Sequence, residues 1–287
     1  MQMNDHSKGL LITLIGVLFV VPDSIMVRLI SSDPMVTAFW RSLTAGTFVA
    51  IFVLLTMRND VMKTITQMGR AGWIYCVLIG TTSPAFVLAV QNTSVANVVL
   101  IFASMPVFSA ILSFLLLSER PSRQLLLTSC FVFVGLAIIG LGSSDGTTAH
   151  WIGDLWAVYI VIAFSTALTL LRRQKHISML PAIPIGYIGA ACVMFWFIEP
   201  FETVATDGAL YLLHGVLIAV STCGLTLGPR YISATEVSLL ILLESVFAPI
   251  LAWLVLSEIP AQSTIIGGFF ILIALVVYNI IIIQKRI

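Results

Sequence analysis

Ten apolar stretches, each about as long as a membrane is thick, follow one another along this chain with only short polar breaks. They fall at about 9–30, 35–57, 72–90, 95–117, 124–142, 151–171, 180–198, 209–229, 235–257 and 262–283. A helix needs ~20 residues to cross a hydrocarbon core of ~30 Å. Apolar residues make up 59% of the 287 and charged residues 9%, whereas a soluble domain carries ~25% charged residues. The excess has to face lipid. The runs lack the alternation of membrane β-strands, so each is expected to be a helix. The fold class is all-α integral membrane, with ten transmembrane helices and sequential spans antiparallel. The first run is too long for the apolar region of a cleavable signal peptide, so it is expected to stay in the membrane.

The positive charges orient the bundle. With the N-terminus cytoplasmic, the inner segments carry Lys8, Arg58, Lys63, Arg70, Arg120, Arg123, Arg172, Arg173, Lys175, Arg230, Lys285 and Arg286, twelve of the fourteen Lys and Arg residues. The outer loops hold acids instead: Asp33, Asp145, Glu199, Glu202, Asp207 and Glu258. A wrong span count would scramble this partition, so it supports both the count and an orientation with both termini cytoplasmic. Trp73, Tyr75, Trp151, Trp156 and Trp196 sit at span ends, where amphipathic rings anchor at headgroup depth. The net charge of +1 gives no reason to expect a nucleic-acid partner. Cys76, Cys130, Cys192 and Cys223 lie in apolar runs without metal-site spacing and are expected to be packing residues.

The chain repeats itself. MPVFSAILSFLLLSERPS from Met105 aligns without gaps on ESVFAPILAWLVLSEIPA from Glu244, with nine of eighteen positions identical at an offset of 139 residues. Leu and Val matches are cheap in a membrane protein. The shared Ser-Glu-x-Pro, at Ser118, Glu119 and Pro121 against Ser257, Glu258 and Pro260, is not. A weaker echo pairs GLLITLIGVLFVVPDSIMVRL from Gly9 with GDLWAVYIVIAFSTALTLLRR from Gly153. Residues 1–143 and 144–287 therefore read as two five-helix repeats. Five is odd, so the second enters the membrane from the opposite side. Inverted repeats permit two packings of similar energy, one open to each face, around a shared midplane site.

The two "LxLSE" endings resemble the drug/metabolite transporter superfamily of the EamA type. The likeness extends to "AFWRSLTAG" in span 2, "SVANVVLIFASMPVFSAIL" in span 4 and "SATEVSLLILLESVFAPILAW" in span 9. The resemblance implies a central cavity enclosed by spans 1–4 and 6–9, with spans 5 and 10 peripheral. It also implies export or exchange of amino acids and other small metabolites across the bacterial inner membrane, with no cofactor. The family's second-half motif often reads Leu-Glu-Pro, but here it is Leu243-Glu244-Ser245, with the proline at Pro249. Any kink is therefore expected a turn further out.

An ionisable group deep in a span costs at least ~2.5–3.5 kcal/mol on insertion scales and marks a candidate site. Glu244 lies about nine residues into span 9, roughly 13 Å at 1.5 Å per residue and close to the midplane. Its repeat mate is Met105, so only one half carries this charge. Such a carboxyl can exchange protons, hold a substrate ammonium, or simply bridge helices as a protonated acid. Asp23 and Arg41 lie at equal depth on antiparallel neighbours. Either they neutralise each other, or Asp23 steadies an arginine whose fork binds a substrate carboxylate. Arg28, nearer the outer surface, is expected to snorkel. His214 reads as a packing histidine or a cavity group. Asn97 and Glu236 occupy equivalent repeat positions and are candidate gates or helix caps.

No HExxH, P-loop or GxSxG is present, and no pair of His or Asp at ligand spacing lies within one span. No enzyme, metal or ATP-driven mechanism is expected. The partners expected are the lipid bilayer, a small-molecule substrate and protons as the candidate coupling ion, and nothing requires an oligomer. Organic cations, drugs or nucleotide-linked sugars are the alternative substrates; a channel or membrane-embedded enzyme is the remote alternative.

Overall fold

The structure is a computed structural model that describes residues 4–58, 60–92, 98, 101–102, 104–119, 122–142, 151–256 and 262–284. Among these, every regular element is helical. The helices are α1 (Asp5–Val20), α2 (Asp23–Leu29), α3 (Pro34–Met57), α4 (Asp60–Gln67), α5 (Gly69–Asn92), α6 (Met105–Leu117), α7 (Arg123–Gly142), α8 (Trp151–Arg173), α9 (Ala182–Phe195), α10 (Val204–Leu227), α11 (Ala234–Ile241), α12 (Glu244–Leu256) and α13 (Gln262–Gln284). Among the described residues, five stretches are long and apolar enough to cross a membrane: Asp5–Leu29, Pro34–Met57, Gly69–Asn92, Ile152–Arg173 and Val204–Arg230. Met105–Leu117 and Ala182–Phe195 are shorter apolar helices. The 24 residues of α3 span ~36 Å, more than a hydrocarbon core.

Local sequence sets the helix ends. Asp33 caps α3, its carboxylate accepting from the Met35 amide at 2.8 Å, and Pro34 follows where a missing amide costs nothing. Ser233 and Glu236 form a reciprocal capping box at the start of α11. Pro22 divides α1 from α2, because it cannot donate and its ring crowds the preceding turn. Helix α4 had no counterpart among the expected spans. Its apolar side, Val61 and Ile65, packs on the core while Met62 is exposed, an amphipathic spacing visible in the sequence but too short to count as a span.

The interruption before Glu244 corrects the expectation drawn from Pro249. That proline lies inside α12, and the break falls at Leu242–Leu243. Leu243 donates to the Leu240 carbonyl at 3.0 Å, and Val246 and Phe247 donate to that of Leu243 at 3.1 and 2.9 Å. The first half shows the same pattern 139 residues earlier: Ser104 to Ile101 at 3.0 Å, then Val107 and Phe108 to Ser104 at 3.0 and 3.1 Å. There Pro106 removes a donor; in the second half a tight i→i−3 turn makes the break without one. The position of the break follows the repeat, and the proline is only one way to make it.

Close glycine crossings bind the helices. A Cβ on Gly224 of α10 would sit 2.8 Å from the Gly16 Cα of α1, and one on Gly80 of α5 would sit 2.5 Å from the Gly186 carbonyl oxygen of α9. Only glycine permits such approach, the small-residue packing that serves where lipid supplies no hydrophobic drive. α5 also packs on α8, α3 on both α9 and α10, and α7 on α13. Trp73 and Trp196 are exposed, as anchors should be, and Trp156 is on the margin of exposure. Tyr75 departs from that expectation: it is buried, its hydroxyl 2.8 Å from Thr226 Oγ1.

Candidate functional site

A cavity of about 90 Å³ lies between the helices, room enough for ordered water among polar partners. Among the described residues its lining comes from α1, α2, α3, α5 and α6 together with α8, α9, α10, α11 and α12, and none of it from α7 or α13. The walls are largely apolar and aromatic, Phe86, Phe102 and Phe164 among them, and Tyr75 and Tyr187 also line the cavity. Tyr187 and Thr222 share a hydrogen bond at 3.1 Å. Two charged groupings break the apolar surface.

The first is a buried cluster at the start of α2. Asp23 accepts from Arg41 Nε at 3.1 Å and Arg41 Nη2 at 2.6 Å, a bidentate fork. His214 Nε2 lies 2.6 Å from the same carboxylate. A carboxylate can only accept, so Nε2 carries the proton; Nδ1 is buried without a hydrogen-bond partner. That arrangement suits a neutral ring, since a second N–H would have nothing to donate to. Arg41 Nη1 donates to Ser83 Oγ at 2.7 Å, Ser42 donates to the same oxygen at 2.8 Å, and the guanidinium lies 5.5 Å from the Phe86 ring centroid. Four helices, α2, α3, α5 and α10, are tied at one point by a group whose charges cancel.

The second is Glu244, the first residue of α12, half-buried on the cavity wall. Among the described residues its carboxylate has no hydrogen-bond or ion-pair partner. It opens its helix, where the helix dipole favours a negative charge. The cavity therefore presents one carboxylate saturated by protein donors and one left to meet solute.

The other expected residues divide. His214, read as a separate packing or cavity group, is brought into the Asp23 cluster. Glu236 lies elsewhere, at the end of the bundle where α1 begins. There its Oε1 meets His6 Nε2 at 2.9 Å while its Oε2 accepts from the Ser233 amide and hydroxyl at 2.7 and 2.8 Å. Asn97 lies outside the described residues. The sequence reading missed Ser83, Tyr187, Thr222 and Thr226. A lone hydroxyl in an apolar helix carries no signal by itself, although Thr222 and Thr226 stand at i, i+4 on one face of α10.

A polytopic helical bundle enclosing a charged, aromatic-walled cavity has the form of a membrane transporter. The chain belongs to the EamA-like transporter family, whose profile matches residues 7–141 and again residues 151–280. Two relatives bear the name uncharacterized transporter. One, from Synechocystis sp., is 24% identical over 263 residues, covering 82% of this chain and 74% of its own. The other, YdfC of Bacillus subtilis, is 23% identical over 245 residues, covering 80% and 77%. A crystal structure superposes with a TM-score of 0.79 at 15% identity over 98% of this chain and 99% of that one, a likeness of fold. The match agrees with the drug/metabolite transporter resemblance and places the chain among transporters, which are not enzymes.

Proposed function

We propose that this protein is a secondary transporter that exports or exchanges small metabolites across the bacterial inner membrane by alternating access, with both termini cytoplasmic. In this reading the ten apolar runs are ten spans in two inverted five-helix repeats, residues 1–143 and 144–287. Support comes from the double family match, the breaks that recur at an offset of 139 residues, and the pairing of helices. α5 packs on α8 as α10 packs on α1, and α3 on α10 as α9 on α5, while α3–α9 and α7–α13 join repeat mates. Exchanging the halves leaves that pattern unchanged.

The observation that carries the substrate reading is the contrast at the cavity wall. Arg41 has both edges of its fork engaged, on Asp23 and on Ser83, whereas Glu244, on the cavity wall, has no hydrogen-bond or ion-pair partner among the described residues. A solute carboxylate would have to displace Asp23; a solute ammonium finds Glu244 ready, among aromatic faces that favour cations. The substrate is thus an amine-bearing metabolite, amino acids first. Simple organic amines are the second reading, favoured by the engagement of Arg41, which also argues against anionic nucleotide-linked sugars. The test is competition in proteoliposomes among an amino acid, its decarboxylated amine, its N-acetyl derivative and its deaminated acid. The two free amines should compete; competition by the deaminated acid alone would overturn this reading.

A further inference from the structure

The repeat motif Ser-Glu-x-Pro has a structural consequence outside the cavity. α6 ends at Ser118, which takes a left-handed conformation at φ 55°. Its amide bonds back to the Phe114 carbonyl at 3.0 Å and that of Glu119 to Ser113 at 3.3 Å. This helix stop reverses the chain and fixes where Glu119 leaves α6. The Glu119 carboxylate then accepts from Arg172 Nε at 3.0 Å, and Arg172 Nη1 donates to the Pro229 carbonyl at 3.4 Å. Three segments meet there: the end of α6, the end of α8 and the turn after α10. Glu119 belongs to the first family-matched stretch and Arg172 to the second. His6, just before the first stretch, meets Glu236 of the second at the same end of the bundle.

Both members of the ion pair have mates in the other half. The alignment from Met105 carries Glu119 to Glu258, and the alignment from Gly9 carries Arg172 to Arg28, an identity in each case. The two alignments concern different helices, yet together they return an acid and an arginine. Glu258 lies outside the described residues; Arg28 is exposed near the end of α2, at the opposite end of the bundle. Arg172 and Glu119 are partly exposed. A pair screened this way holds a fold only weakly, but it biases an equilibrium between two packings when it joins bodies that must part.

We propose that the Arg172–Glu119 pair is a latch that holds the N-terminal face of the cavity shut, and that Arg28 is its symmetry-related counterpart at the opposite face. The latch rests on the alternating-access reading. When the halves rock to open the N-terminal face, the pair parts and the contact centred on Arg28 tightens. Neither residue touches the substrate; both act on which face is open.

The test places a single cysteine on the cavity wall at Phe164, in a chain whose four native cysteines are replaced, and labels it with a membrane-impermeant maleimide. Right-side-out and inside-out vesicles report access from each face. Arg172→Gln and Glu119→Gln should each raise labelling from the N-terminal face several-fold and lower it from the other. Arg28→Gln should do the reverse. The exchanged pair Glu119→Arg with Arg172→Glu should return toward the parent, which separates a latch from loss of fold. One-sided labelling in the parent that no variant moves, or Arg172→Gln and Arg28→Gln shifting it the same way, overturns the latch alone. Equal labelling from both faces that no variant shifts also overturns the latch; passage of the impermeant maleimide through the protein from one face to the other would overturn alternating access, and the latch with it.

Discussion

Asp23 and Glu244 are placed alike and partnered differently. Each is the first residue of a helix that starts after a break, α2 and α12, and each lines the same cavity. Asp23 is fully enclosed and meets three donors, two from Arg41 and one from His214. Glu244 is half-buried and, among the described residues, meets none. Depth in the bilayer made both residues candidates; the supply of donors distinguishes them. A saturated buried charge serves the architecture, because removing a partner is costly and a solute gains nothing by approaching it. An unsaturated one can be filled and emptied.

If that distinction holds, substitutions around Asp23 should act on stability and those at Glu244 on transport. The largest loss is expected for Arg41→Ala, which strands the buried Asp23 carboxylate at a cost of about 3–5 kcal/mol. Thermal unfolding in detergent should show a steep drop in midpoint, partly recovered by adding Asp23→Asn. A stable Arg41→Ala protein that merely changes substrate preference would move Arg41 into the transport site. His214→Phe removes one donor from Asp23 while keeping an aromatic ring, and should cost about 1.5–3 kcal/mol, the range for a hydrogen bond to a charged group. Tyr75→Phe, which breaks only the contact with Thr226, should cost about 1 kcal/mol in the same assay. Glu244→Gln should leave the unfolding midpoint at or above that of the parent, since no partner is stranded and a desolvated charge is removed. A large destabilisation there would show that Glu244 is structural after all.

Much of this was legible in the sequence, for identifiable reasons. Apolar runs of membrane length and the Ser-Glu-x-Pro repeat come from constraints spread over many residues, so they survive without coordinates. Equal depth on antiparallel neighbours was enough to bring Asp23 and Arg41 together. His214 could not be joined to them, because it is about 190 residues away from Asp23 and nothing in an apolar helix tells which face it presents. The break before Glu244 was misplaced for a different reason. Proline is the visible sign of a break in sequence, whereas the turn at Leu242–Leu243 interrupts the helix through backbone bonding alone. Position near a span end suggests an interface anchor for Tyr75, but its hydroxyl meets Thr226 of α10, a partner no single helix could reveal.

The contrast between the two carboxylates is tested most directly by flux in proteoliposomes under an imposed pH gradient, using the labelled amine or amino acid that competes best in the panel described above. The wild-type protein should accumulate the label against its concentration gradient. Glu244→Gln should still exchange label at equal pH or lose binding altogether, but should show no gradient-driven accumulation. Gradient coupling unchanged in Glu244→Gln would contradict the role given to this residue.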